Sequence, residues 1–223
     1  MRSIKLTDTL TCPNGCEAFE ADRWTFISAT QNPELKEAIL GGELNLFCCP
    51  ECKTFFHGDT DLIYLDEEQE LLVFVFSAAN RAKRKELKAK MQQDYQLLKD
   101  TLFKQVQLDF GPMCVFGLEE LKDLLAREQA RTDESQAIAV AAAALGMQVA
   151  RLVPQWAREN NFPFYTAAGV DETAKSFAES ARKVLRSGLK SPLLKHFADY
   201  MQGDGAHAPK VYYADTEKTQ RSS

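Results

Sequence analysis

The chain has little of what most catalytic machinery is built from. Histidine occurs three times in 223 residues, and His196 and His207 lie late in the chain, so acid–base chemistry through imidazole has few candidates. Gly-x-Ser-x-Gly, a phosphate-cradling glycine loop and His-Glu-x-x-His are all missing. Long hydrophobic runs are missing too. The longest, Ala137 to Met147, falls far short of the roughly 20 residues needed to cross a bilayer, and the opening MRSIKLTDTLTC holds no apolar stretch of the signal-peptide kind. Charge of one sign is only mildly in excess, at −5 with a pI near 5.4. That argues against a chain built mainly to coat nucleic acid or anionic membrane, while a local basic face stays open. The expectation is a cytoplasmic protein with no membrane partner.

What is present is ordinary in bulk and particular in one place. A 45% hydrophobic, 26% charged composition suits a globular protein. The length serves one large or two small domains and a core that needs neither disulfide nor metal, so a metal has to be explained locally. The local feature is the cysteines. Four of the six form two pairs, Cys12-Pro13-Asn14-Gly15-Cys16 and Cys49-Pro50-Glu51-Cys52. In a reducing compartment, clustered thiols are ligands or redox groups rather than disulfides. Two cysteines two or three residues apart point at one ion from a tight turn, which Pro and Gly favour. Two such turns complete the four-thiolate shell that zinc prefers in structural sites, with no open position for substrate. Cys12, Cys16, Cys49 and Cys52 are therefore the candidate ligands of a structural Zn2+.

The rival is thiol–disulfide redox chemistry, because Cys49-Pro50-Glu51-Cys52 superficially resembles a thioredoxin-type dithiol. That motif opens a helix near a βαβ unit, whereas Lys53-Thr54-Phe55-Phe56 reads as strand. Cys48 adjoins Cys49 and points to the opposite face of a strand, so a small buried thiol is expected, with substitution for a lost Cys49 as the alternative. Cys114 is expected in the core. His57 could replace a ligand, but four thiols already suffice.

Along the chain, Ile4–Thr11 and the stretch holding Trp24, Phe26 and Ile27 read as strands. Asn32-Pro33 caps and opens a short helix that Gly41-Gly42 stops, and Leu44–Phe47 leads as a strand into the second cysteine pair. Asp59-Thr60-Asp61 is turn-like. Leu62–Leu65 and Leu71–Phe76 flank the acidic turn Asp66–Glu70 as an antiparallel hairpin. Asn80 caps a helix to about Leu102 with Leu87, Met91, Tyr95, Leu98 and Leu102 as its apolar stripe. Val106–Phe116 is a strand interrupted at Gly111-Pro112, and Leu118–Arg131 a helix. Asp133 and Gln136, at capping-box spacing, open an Ala-rich helix, Glu134–Val153, which Pro154 bends or ends. Asp171–Gly188 is amphipathic, Ser191-Pro192 opens a last helix to about Met201, and disorder is expected from Gly203.

The stretches CPNGC, NPELKEAILGGELNLFCCPEC and DLIYLDEEQELLVFVF, with the later helix GLEELKDLL, together resemble the CpXC family, named for two Cys-Pro-x-Cys motifs. The resemblance covers residues 4 to about 128. It implies a four-cysteine domain without a particular activity, and carries over to Cys12, Cys16, Cys49 and Cys52 alone. Two departures stand out: the first motif is one residue longer than Cys-Pro-x-Cys, and Lys53 sits where zinc knuckles often carry Gly.

Two other groups weigh against plainer readings. Arg81, Arg84, Lys85 and Lys88 share a helix face that would contact nucleic-acid phosphates; a solvated face opposite the leucine stripe is the favoured reading. Trp156, Phe162, Phe164 and Tyr165 would line a groove for a partner peptide, with a small-domain core favoured. The expected fold is α+β: residues 1–130 form a zinc-ribbon-like antiparallel β domain with an inserted short helix and a long flanking helix. A helical domain over 131–203 and a disordered tail over 204–223 follow. The expected function is a non-enzymatic zinc-stabilised binding or adaptor module with a protein partner; the alternatives are a nucleic-acid-binding zinc ribbon and a thiol redox protein.

Overall fold

The computed structural model describes residues 2–58, 61–101, 110–203 and 206–212. The logic of the fold is clearest at one strand, Leu71–Phe76, whose sequence LLVFVF has no polar face. Alternate side chains of a strand face opposite ways, so such a strand must be covered on both sides. Leu71, Val73 and Val75 lie in one core cluster with Leu35, Ile39, Leu121, Leu124 and Leu125. Leu72, Phe74 and Phe76 lie in another with Met91, Phe110 and Phe116.

In chain order the first part contains β1 (Ile4–Leu10), β2 (Phe19–Ser28), α1 (Pro33–Gly41), β3 (Leu46–Cys48), β4 (Phe55–His57), β5 (Leu62–Asp66), β6 (Leu71–Phe76), a 3-10 turn (Ala78–Lys83), α2 (Arg84–Asp100), β7 (Pro112–Phe116) and α3 (Leu118–Ala144). Strands β1-β2-β5-β6-β7 form one sheet, and β3-β4 a small separate one. α1 and α3 cover the first face of the large sheet and α2 the second.

The large sheet corrects the antiparallel, ribbon-like expectation. The hairpin β5–β6 is antiparallel, with Tyr64 opposite Val73, but β2 runs parallel to β5 and β6 parallel to β7. Parallel neighbours need a crossover rather than a tight turn. α1 with the β3–β4 hairpin lies between β2 and β5 in the chain, and α2 between β6 and β7.

Caps also differ from expectation. Pro33 opens α1, but the Asn32 side chain bonds Glu34 instead of capping. Gly42, at φ 74°, ends the helix, its N–H bonding Ile39 O at 3.0 Å. Asn80 caps no helix: the Ser77 hydroxyl accepts from Ala79 N–H to start the 3-10 turn, and α2 begins only at Arg84. Leu102, Val106 to Asp109 and the pair Asp59-Thr60 are outside the described residues.

The chain divides into two compact units, 1–126 and 127–223. The division falls within α3, so it lies in a helix and not in a linker. The expected break at Asp133 is absent, because its carboxylate accepts from Gln129 Nε2 at 2.8 Å, one turn back in the same helix. The helix ends where Gly146 takes φ 68° and Met147 N–H returns to Ala142 O, a left-handed stop that leaves Val149 onward free of the helix.

The second unit continues with β8 (Val149–Leu152), α4 (Pro154–Glu159), β9 (Tyr165–Ala167), α5 (Ala174–Arg186), α6 (Pro192–Tyr200) and β10 (Val211–Tyr212). The expected helical domain is corrected to a mixed one by the sheet β10-β8-β9, antiparallel throughout. Val149–Leu152 reads as helix by composition but alternates in burial, with Ala150 and Leu152 inward, as a half-buried strand does. Within the expected tail, 206–212 is described and Val211-Tyr212 pairs with β8; 204–205 and 213–223 are outside the described residues. Thr173 caps α5 and Ser191 caps α6. Phe162, Phe177 and Phe197 centre the core.

Candidate metal centre

Each cysteine pair sits on a turn that its own sequence closes. The first lies between β1 and β2. Cys12 O accepts from Gly15 N–H at 3.0 Å, and Gly15 adopts φ 77°, a conformation glycine takes at no steric cost. The second lies between β3 and β4, where Cys48 faces Phe55 in register. There Cys49 N–H bonds Thr54 O at 2.9 Å and Lys53 N–H bonds Cys49 O at 3.0 Å. Lys53 holds φ 59°, which explains why glycine is common at that place in such turns, and its ammonium bonds Pro50 O at 2.7 Å.

Distant in sequence, the two turns meet in space. The sulfurs of Cys12, Cys16, Cys49 and Cys52 all lie within 4.8 Å of one another, with Cys12 and Cys52 at 3.6 Å. A tetrahedron with metal–sulfur bonds of about 2.3 Å has edges of about 3.8 Å, so the cluster is the right size for one ion. Cys12 and Cys49 are buried, Cys16 half-buried and Cys52 exposed. Burial pushes the Cys12 thiol up. Cys16 is pushed far up, first by its hydrogen bond with Cys52 and then by burial. Cys52 is lowered to about 5, first by the Thr54 hydroxyl, then by the Thr54 N–H and the Asn14 amide. Four thiolates this close repel one another, and a divalent cation that neutralises them releases the remaining protons. The donor set, four sulfurs with no carboxylate or imidazole, suits a soft or borderline metal.

Two residues that pattern reading missed support the turns. Asn14 donates its backbone N–H to Cys12 Sγ at 3.4 Å and its amide to Cys52 Sγ at 3.5 Å and Thr54 Oγ1 at 2.9 Å. Asn45, just before β3, accepts from Trp24 N–H at 2.8 Å and donates to Trp24 O at 3.0 Å, tying the second turn's hairpin to β2. The Asn-Gly pair inside the first motif was the available sign for Asn14; nothing local marks Asn45.

The other sulfur and imidazole candidates stay apart. Cys48 lies outside the cluster, as alternation along the strand requires, but it is exposed where a buried thiol was expected: β3 belongs to a two-stranded sheet, and Cys48 lies on its open face. Cys114 is half-buried and packs against the α2-side core. His57 bonds Leu44 O through Nδ1 at 3.2 Å and is not part of the cluster.

Three of the four basic residues lie in α2 and Arg81 precedes it. Arg81 sits in the 3-10 turn, 2.6 Å from a Glu120 oxygen. Arg84 opens α2 with its guanidinium over the Phe116 ring. Lys85 and Lys88 are exposed on α2. Trp156, Phe197 and Tyr200 surround the buried Phe162 ring at centroid distances of 5.0–5.3 Å, so this aromatic group is core. Among the described residues, no helix is long and apolar enough to cross a membrane.

Fold and site together define an α+β protein with a four-cysteine cluster able to hold a metal ion. The CpXC protein family matches residues 10–140, more than half of the chain, and the protein belongs to that family. The match runs from the end of β1 into the later turns of α3 and includes both cysteine turns. No curated protein and no solved structure matches the chain.

Proposed function

We propose that Cys12, Cys16, Cys49 and Cys52 bind one structural zinc ion, and that the protein is a non-enzymatic, zinc-stabilised binding or adaptor module. The observation that carries this reading is the approach of all four sulfurs to within 4.8 Å. A shell of four thiolates is one of the usual structural zinc sites and leaves no position for substrate. Position supports the same role. β3 and β4 have three residues each, and a hairpin that short has little stability of its own. Zinc supplies a crosslink and the charge that keeps four thiolates together. Cys49 and Cys52 then hold the β3–β4 turn to the β1–β2 turn that carries Cys12 and Cys16.

The test is metal content. Protein purified without added metal is expected to carry one zinc per chain, lost on joint replacement of Cys49 and Cys52 by Ser, with a fall in the unfolding temperature. Metal-free, folded protein with four freely titrating cluster thiols overturns the reading. Reversible cycling of those thiols between dithiol and disulfide would place the protein among thiol redox proteins instead.

A further inference from the structure

The donors around the cluster are unevenly shared, and Asn14 is the reason. It is central to the longer first motif, and one residue serves both turns, its own through the backbone and the other through the side chain. Its backbone N–H meets Cys12 of its own turn at 3.4 Å, and its amide reaches Cys52 of the other at 3.5 Å. The same amide nitrogen bonds Thr54 Oγ1 at 2.9 Å, which an –NH2 with two protons permits. Thr54 thereby fixes the amide that faces Cys52. Cys52 thus receives an N–H donor from the opposite turn. Among the described residues, no N–H or O–H group donates to the Cys16 sulfur, and Cys49 is buried.

We propose that Asn14, anchored by Thr54, is a positioning residue that clamps the two turns together and shields the Cys52 sulfur, leaving Cys16 as the sulfur through which the metal site opens. The inference rests on the zinc-bound reading above. Four thiolates around a dication carry net negative charge, and each N–H or O–H bond to a sulfur withdraws part of it. A sulfur so bonded is a weaker nucleophile and a poorer target for protons and electrophiles. Exposure argues the other way: Cys52 is exposed and Cys16 only half-buried. Access alone selects Cys52 for attack, whereas the donors select Cys16, so the order of attack separates the two effects.

The experiment uses the zinc-loaded full chain. Limiting N-ethylmaleimide followed by peptide mass mapping reads the order of labelling, with exposed Cys48 as the internal reference. A chromophoric chelator reads the rate of zinc release. In the unaltered protein Cys16 is expected to label before Cys52. Asn14→Ala is expected to release zinc about ten-fold faster, in line with the 10–100-fold effects of outer-shell partners, and to advance Cys52 in the labelling order. Thr54→Val, which removes the anchor and leaves the first turn intact, shifts both readouts the same way by a smaller factor and carries the test if Asn14→Ala does not fold. Labelling of Cys52 before Cys16 in the unaltered protein, or release rates unchanged in both variants, overturns the proposal. A starting protein without stoichiometric zinc overturns the zinc reading instead, so the two failures are distinct.

Discussion

Replacement of Asn45 tests how the second cysteine turn is attached to the large sheet. The Asn45 side chain completes both backbone hydrogen bonds of Trp24, at 2.8 and 3.0 Å, and Asn45 itself holds φ 50° while buried. Asn45→Ala removes both bonds, each worth about 0.5–1.5 kcal/mol net. It also places alanine in the left-handed region, at a further cost of about 1–2 kcal/mol. The expected loss is about 2–5 kcal/mol. Asn45→Gly loses the same bonds without the backbone strain and recovers about 1 kcal/mol of it. The assay is urea unfolding in a Trp156→Phe background, which leaves Trp24, the other of the two tryptophans, as the reporter beside the altered contact. An unchanged midpoint in Asn45→Ala, or a glycine variant less stable than the alanine one, refutes the assignment.

Other perturbations address the rest of the molecule. Glu128 is buried with Arg158 Nε at 2.7 Å and Arg131 Nε at 3.7 Å; Glu128→Ala removes a buried carboxylate that meets both guanidiniums and is expected to lower the thermal unfolding temperature. Lys53→Gly relieves the φ 59° conformation and, after the entropy glycine adds to the unfolded chain, is expected to change stability by less than about 1 kcal/mol while zinc content stays at one per chain by metal analysis. Asp8 is held below its ordinary value of 3.8 by its hydrogen bond to Arg23. A lowered folded value stabilises above the ordinary value and fades as pH falls through the lowered one, so the gap in unfolding midpoint between the unaltered protein and Asp8→Asn is expected to hold above about pH 5 and narrow below it. Joint charge reversal of Lys85 and Lys88 tests the nucleic-acid alternative: stability should stay within about 0.5 kcal/mol, and a salt-dependent affinity for duplex or single strands that this reversal abolishes would favour that alternative.

The parts of the fold legible in the sequence are those with a local physical signature. The β5–β6 hairpin was readable because two apolar runs flank an acidic turn, and α1 because Pro33 and Gly42 bracket it. The cysteine pairs were readable because ligand geometry demands short spacing. What escaped depends on partners far along the chain. The parallel pairings β2–β5 and β6–β7 have no turn to announce them, although the two-sided burial of LLVFVF hinted at neighbours and cover on both faces. The capping-box spacing at Asp133 and Gln136 was real but idle, because Asp133 is already within a helix and bonds Gln129. Val149–Leu152 was absorbed into an alanine-rich helix; Gly146, with φ 68°, was the stop signal. At the site, Lys53 stands where such turns often carry Gly and takes φ 59°. Asn45 bonds a residue 21 positions away, a relation that no local pattern encodes.

X-ray absorption at the zinc edge on the 223-residue chain tests the proposed zinc site most directly. Zinc held by Cys12, Cys16, Cys49 and Cys52 gives four sulfur neighbours at about 2.3 Å and no nitrogen or oxygen in the first shell. A shell with fewer than four sulfurs, or with nitrogen or oxygen ligands at about 2.0 Å, would contradict the closed four-cysteine site.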